Sequence, residues 1–182
     1  MQIRLATTYD LEEISKCHKA SIRWLCKDYY SPESIDKWTN LLLPEIYESA
    51  IQEKVFIVAE QEGNLSGFGI LDIKNKEISA IYVHPNSKGI GIGKKILFKL
   101  EAISLEKNIY QLHLCSTINA SDFYKRHGYV ENGTDFHELP DGTQLECIKM
   151  NKVIGENVSR PRNGSQGTRV LNIRGKLNFK HL

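Results

Sequence analysis

The run from Ile81 to Leu97, IYVHPNSKGIGIGKKIL, constrains this chain more than any other segment. An apolar, β-branched strand pattern stops at His84-Pro85, and a loop then places Gly89, Gly91 and Gly93 at alternate positions. An amphipathic helix follows at once, with Ile96, Leu97, Leu100 and Ile103 at helical spacing. A glycine-rich turn feeding a helix start bares backbone N–H groups that no carbonyl satisfies, at the positive end of the helix dipole. Such a start binds phosphate, and the lack of a Cβ lets a bulky anion approach the backbone. Spacing rejects two familiar phosphate loops. A dinucleotide fingerprint or a P-loop beginning at Gly89 would each need glycine where Lys94 stands. Read alone, the loop also fits a tight strand-to-helix connection with no ligand.

A second segment lies downstream, Asn119-Ala120-Ser121-Asp122-Phe123-Tyr124-Lys125-Arg126-His127-Gly128-Tyr129. Asn119 suits a helix N-cap, and Gly128 suits the left-handed residue that ends a short helix before a strand starting at Tyr129. The stretch Lys88-Gly89-Ile90-Gly91-Ile92-Gly93 resembles the Q/R-x-x-G-x-G/A acyl-CoA pyrophosphate loop of the GNAT superfamily of N-acyltransferases. Lys88 departs from the usual Arg or Gln, keeping the charge but losing the planar fork. The Asn119–Tyr129 segment is similar to that superfamily's second pattern, in which Phe-Tyr precedes a glycine and an aromatic. Either motif alone is also explained by packing. The two occur in order, one helix and one strand apart, and together point to the family.

The coarse reading along the chain agrees. It gives a strand at Ile3–Ala6, a helix from Tyr9 to about Cys26, a second helix capped by Ser31 or Ser34, and a short third from Glu45 to Gln52. Strands follow at Val55–Glu60 and Leu65–Ile73, joined by a hairpin turn at Gln61–Asn64; Gly67 and Gly69 leave room for something close to the backbone. After these come strand Glu77–Val83, helix Gly91–Lys107, strand Tyr110–Cys115, helix Asn119–His127, and strands Tyr129–Glu138 and Leu145–Met150. The resemblance implies an α/β (α+β) GNAT fold, a mixed and mostly antiparallel sheet flanked by helices, whose parallel central strands splay apart. It covers about residues 1–152 as one acetyltransferase domain. Residues 153–182 read as a basic C-terminal extension, with Val170–Ile173 as a short extra strand.

Composition sets the bounds. The net charge of +2 conceals a mildly acidic domain and a basic tail, since six of the 24 Lys/Arg and only one acidic residue lie beyond position 154. That argues against nucleic acid as a partner of the domain. No apolar run is long enough to span a membrane, and the Met1 end lacks a signal-like apolar stretch. Cys17, Cys26, Cys115 and Cys147 show no C-x-x-C pairing and the histidines show no ligand spacing. The expectation is a cytoplasmic protein with free core thiols and no metal, and a homodimer remains compatible.

The resemblance also implies a chemistry: acetyl transfer from acetyl-CoA, as acyl-donor cosubstrate, to a primary amine of a small molecule or peptide. The backbone of Gly89, Ile90, Gly91, Ile92, Gly93 and Lys94 would hold the pyrophosphate, with Lys88 beside it. The pantetheine would pair with the backbone of Ile81 and Val83 as an added strand. Asn119 would bond it from the other side, and the Val83 N–H would polarise the thioester carbonyl. Tyr124 is the expected general acid for the leaving thiolate. Glu77 is a base acting through water, or else a solvent-exposed strand-end carboxylate; His84 and His113 are further bases or plain surface histidines. Trp24, Tyr29, Tyr30 and Trp38 either line an acceptor pocket or pack the core. The rival reading is a noncatalytic acyl-CoA-binding protein on the same fold.

Overall fold

The computed structural model describes residues 1–155. The expected strand at Val170–Ile173 and most of the basic extension lie outside the described residues. Seven strands form one sheet: β1 (Gln2–Leu5), β2 (Val55–Gln61), β3 (Asn64–Asp72), β4 (Glu77–Val83), β5 (Gln111–Thr117), β6 (Val130–Glu138) and β7 (Gln144–Val153). Their spatial order is β1-β2-β3-β4-β5-β7-β6, antiparallel throughout except for β4 beside β5. This is the mixed sheet with parallel central strands that the sequence predicts.

The helices are α1 (Leu11–Leu25), α2 (Pro32–Asn40), α3 (Glu48–Glu53), α4 (Ile92–Glu106) and α5 (Ser121–Arg126). They cover the two sheet faces separately. On one face Ile92, Ile96, Leu97 and Leu100 of α4 pack with Ile57, Leu71, Leu112, Leu114 and Met150. Tyr124 of α5 and Tyr129 join that cluster. On the other face Ile14 and Cys17 of α1 meet Phe56, Val58, Phe68 and Ile70, and Ile22 with α2's Ile35 and Trp38 forms an adjoining cluster. Strand alternation puts successive residues of β2 into opposite cores.

Local signals explain most boundaries. Ser31 caps α2, its Oγ accepting from the Ser34 N–H at 3.1 Å, and Pro32 occupies the first turn, where its missing N–H costs nothing. Gly128, at φ +85°, closes α5: its N–H donates to Lys125 O and the Tyr129 N–H to Tyr124 O, the paired bonds of a Schellman ending. The expected hairpin turns through Glu62 and Gly63, both at positive φ.

Asn119 does not cap α5. It sits in a 3-10 turn, Ile118–Ala120, and the residue before the helix is Ala120, with no side-chain cap. The sheet continues just past position 152. Strand β7 ends at Val153, the Ile154 N–H donates to Tyr110 O at 2.9 Å, and Ile154 packs against the α4 core. Among the described residues no helix is long and apolar enough to cross a membrane.

Candidate functional site

The centre of the molecule is a break in its sheet. The ladder between β4 and β5 consists of one residue pair, Glu77 with His113, although both strands continue well beyond it. A bulge accompanies the break: the register between β3 and β4 passes from Ile70–Ala80 to Leu71–Ile78 and skips Ser79. A bulge bends the strand that carries it and raises its local twist, turning β4 away from β5.

The hydrogen bonding of β4 then fixes what the opening offers. The His84 N–H donates to Ser66 O of β3 at 2.9 Å. Backbone groups alternate sides along a strand, so Tyr82 also points its N–H and C=O toward β3. Ile81 and Val83 point theirs the other way, into the gap that β5 has vacated. Two residues expected to pair with an extended ligand therefore present free backbone edges, as an added strand requires. Ile78, Ser79, Ala80, Ile81 and Tyr82 line one wall of the cleft; Cys115, Ser116 and Thr117 line the opposite wall, and Ala120 and Tyr124 complete the lining.

At the far end of β4 the chain makes a short 3-10 turn, Pro85–Ser87, and enters the glycine loop. Gly89 and Gly91 both lie at positive φ, +85° and +82°, where a side chain would strain the backbone. Gly91 is the N-cap of α4 and brings no side-chain acceptor. The first helical bond is Lys95 N–H to Gly91 O, so the amides of Ile92, Gly93 and Lys94 have no partner within the helix. Lys88, Gly89 and Ile90 are exposed beside them. A Cβ at Gly93 would meet Val83 and the Phe123 ring at 3.5–3.6 Å, ordinary contact distances, so packing does not demand glycine there. Lys94 is exposed, with its Nζ 5.4 Å from the Phe98 ring centroid.

Tyr124 is 6 % exposed, edge-on to Phe123 and Tyr129 with centroids at 5.0 and 5.6 Å. Burial pushes its pKa above the ordinary phenol value, so it carries its proton at neutral pH. A thiolate in the same low-dielectric cleft is destabilised for the same reason, which preserves the relative match between donor and acceptor.

Glu77 stands at the closed end, one residue outside the cleft lining and far along β4 from Val83. It is half-buried, not the exposed strand-end glutamate of the alternative reading. Burial raises its pKa, opposed by the charges of His113 and Lys54. Asn119 turns away from the lining, its Oδ1 accepting from the Cys26 Sγ–H at 3.3 Å. Of the four aromatics expected near an acceptor, Trp24 (58 % exposed) and Tyr29 (51 %) face solvent. Trp38 is buried against Tyr30. The Tyr30 hydroxyl donates to Glu146 O at 2.7 Å and accepts from the Ile118 N–H at 3.1 Å, tying the α1–α2 connection to β7 and to the turn before α5.

The cysteines need a correction. Cys115 and Cys147 are joined as a disulfide between β5 and β7, with Cα atoms 5.7 Å apart, and only Cys17 and Cys26 are free. Their 32-residue separation hid the pairing; only the antiparallel register of β5 and β7 brings them together. Sequence reasoning also missed Ser79, Tyr82, Ser116 and Thr117 in the cleft, because a bulge leaves no composition signal. A larger cavity of about 550 Å³ opens beside α1 and the β2–β3 hairpin, and of the expected site residues His84 and Ile90 reach it.

Residues 26–152 match the family model described as "Acetyltransferase (GNAT) domain". The chain is 30% identical over 151 residues to a spermidine N(1)-acetyltransferase of Thermoplasma acidophilum, covering 75% of this chain and 94% of that protein. It is 25% identical over 134 residues to the catalytic subunit naa20 of the N-terminal acetyltransferase B complex of Schizosaccharomyces pombe, covering 69% of this chain and 70% of that one. Among solved structures, a GCN5-related N-acetyltransferase from Rhodopseudomonas palustris superposes with a TM-score of 0.79 at 24% identity, over 84% of this chain and 94% of that. The Thermoplasma acidophilum PaiA N-acetyltransferase, solved in complex with coenzyme A, superposes with a TM-score of 0.69 at 24% identity, over 84% of this chain and 98% of that. The chain belongs to the GNAT family of acetyltransferases, acyl-transferring enzymes whose cosubstrate is acetyl-CoA.

Proposed function

We propose that this enzyme transfers the acetyl group of acetyl-CoA directly to a primary amine of a small molecule or peptide. The observation that carries the reading is the free backbone edge of Ile81 and Val83, with Tyr124 lining the cleft it borders and the uncapped start of α4 close beyond the end of β4. The amides of Ile92, Gly93 and Lys94 receive the pyrophosphate. The pantetheine lies along β4 as an extra strand, and a free N–H of that edge polarises the thioester carbonyl. The neutral amine attacks that carbonyl, the carbon–sulfur bond breaks, and Tyr124 gives its proton to the departing thiolate.

The amine must first lose a proton. Glu77, with its pKa raised by burial, is our candidate to accept it, through a chain of waters that the unpartnered Ser79 Oγ in the cleft wall would help to hold. The two curated relatives are named for acetylating a polyamine and protein N-termini, which supports an amine acceptor and leaves its size open. The test is thiol release from acetyl-CoA with a panel of spermidine, other primary amines and short peptides with free N-termini. Turnover of at least one amine is expected. Tight acetyl-CoA binding with no acceleration by any amine would overturn the catalytic reading.

A further inference from the structure

The Cys115–Cys147 bridge lies in the wall of the cleft rather than behind it. Leu112 and Leu114 of β5 and Met150 of β7 pack into the α4 core. Strand alternation turns Cys115 and Cys147 to the opposite face, toward α1 and α2. Cys115 lines the cleft together with Tyr124 and the bulged segment of β4. It is half-buried, whereas Cys147 is 7 % exposed and sits behind it. One cysteine thus borders the cleft, and the other is bonded to it from the neighbouring strand. That is the arrangement of an attacking and a resolving cysteine. Cys26, on the same side, is 2 % exposed and gives its S–H to Asn119, which removes it from this role.

We propose that Cys115 and Cys147 form a thiol–disulfide exchange site for coenzyme A itself, so that the enzyme is oxidised by coenzyme A disulfide and reduced again by excess coenzyme A thiol. The inference rests on reading the cleft as the acyl-CoA site, because that cleft delivers the ligand's sulfur to Cys115. In the oxidising direction the Cys115 thiolate attacks one sulfur of coenzyme A disulfide. A Cys115–S–S–CoA bond forms and one coenzyme A thiolate leaves. The Cys147 thiolate then attacks the Cys115 sulfur, closes the protein disulfide and releases the second coenzyme A thiolate. Two protein thiols are oxidised, one coenzyme A disulfide is reduced, and two coenzyme A thiols result. While the mixed disulfide persists, its pantetheine occupies the place of acetyl-CoA, and acetyl transfer stops.

The full chain, reduced and freed of reductant, is mixed with coenzyme A disulfide, quenched with an alkylating agent at intervals and mapped by mass spectrometry. The wild type should lose the Cys115 and Cys147 thiols together and release two coenzyme A thiols per bridge formed, while Cys17 and Cys26 stay reduced. Cys147→Ser should trap coenzyme A on Cys115, and Cys115→Ser should carry no adduct. Glutathione disulfide should react at least about tenfold more slowly, the factor that 1.4 kcal/mol of lost docking energy gives. Dethia-coenzyme A, which docks but has no thiol, should slow the reaction. If Cys147→Ser does not fold, the transient adduct in the quenched wild type reads the same step. No adduct on Cys115, or equal rates with glutathione disulfide, overturns the proposal. Calorimetry with dethia-coenzyme A separates the two readings: binding without exchange defeats only this inference, and no binding defeats the assignment of the cleft and this inference with it.

Discussion

Replacing Tyr124 by phenylalanine isolates one proton. The ring is 6 % exposed and lies edge-on to Phe123 and Tyr129, and phenylalanine preserves both contacts. Loss of a hydroxyl from the cleft wall should therefore cost less than about 1 kcal/mol of stability, or a Tm shift below roughly 4 °C. Its chemical effect should be much larger. Without a positioned acid the thiolate must leave unprotonated or take its proton from water, a loss of about 10²–10⁴ in kcat. That corresponds to about 3–5 kcal/mol of barrier. Acetyl-CoA affinity should not change, since the backbone of β4 and the start of α4 are untouched. Tyr124→Ala serves as the packing control, destabilising the domain by about 3–5 kcal/mol through the cavity left beside Phe123 and Tyr129. Single-turnover thiol release, calorimetric titration with acetyl-CoA and thermal melts of both variants give the three numbers. A near-wild-type single-turnover rate for Tyr124→Phe would refute the assignment and leave the aromatic with a purely structural role.

The loop, the helix packing and the buried histidine each give a further expectation. Gly91→Val should abolish acetyl-CoA binding in calorimetry while the fold survives: nothing lies within 4 Å of the added Cβ, so the cost is backbone strain of about 1–2 kcal/mol at φ +82°; unchanged affinity in the folded variant would sink the loop assignment. Gly69→Ala should lose about 1–3 kcal/mol in chemical denaturation, because its Cβ would stand 2.5 Å from Ile96 Cγ2 and 3.0 Å from Leu100 Cδ1, and Ile96→Ala should recover part of that loss. Burial lowers the His18 pKa to about 3, so below its unfolded pKa near 6.5 the unfolded chain takes up a proton that the folded chain refuses. Stability should consequently fall as pH drops through roughly 6.5 to 3, by at most about 1.4 kcal/mol per pH unit from this residue, and urea denaturation of wild type against His18→Gln should show the smaller slope in the variant. Asp10, which its hydrogen bond from Arg4 holds at about 2, adds acid sensitivity only below its unfolded pKa of about 3.9, so pH 4–6 reports on His18 apart from it.

The elements legible in the sequence were those with a local cause. Alternating apolar residues, Ser31 with Pro32, the Glu62-Gly63 turn and the Gly128 ending all act within a few positions, and each stands where the pattern put it. The glycine loop was legible for a related reason, since a left-handed backbone at Gly89 and Gly91 is a property of those residues themselves. Contacts between distant segments were not legible. The pairing of Cys115 with Cys147 depends on the β5–β7 register, and the burial of Glu77 depends on the segments around Lys54, Asp72 and His113. Asn119 reads as a cap from its neighbours, yet the α1 terminus supplies Cys26 as its partner. Gly67 and Gly69 do leave room for a close approach, and the side chains that fill the space above them belong to α4.

That close approach joins the glycines of β3 to the glycines of the loop. Ile96 can pack directly over β3 only because Gly67 and Gly69 carry no side chain, and Ile92 takes the same advantage one turn earlier. The first turn of α4 is thereby drawn down onto the sheet beside the end of β4, where Val83 lies near Gly93. The bulge at Ser79 acts from the other end of the same strand, separating β4 from β5 so that Ile81 and Val83 keep unpaired backbone groups. Neither device alone makes a site. A splayed strand without the nearby helix start would offer an edge with no anchor for a polyanion, and a helix start without the splay would hold phosphate with nowhere for the attached chain to go. Both converge on the segment Ile81–Gly93, so a change that merely straightens the strand, such as deletion of Ser79 to restore the β3 register, should close the cleft and abolish acetyl-CoA binding while the helix start keeps its free amides. A register-restored variant that still binds acetyl-CoA normally by calorimetry would show that the splay has another origin.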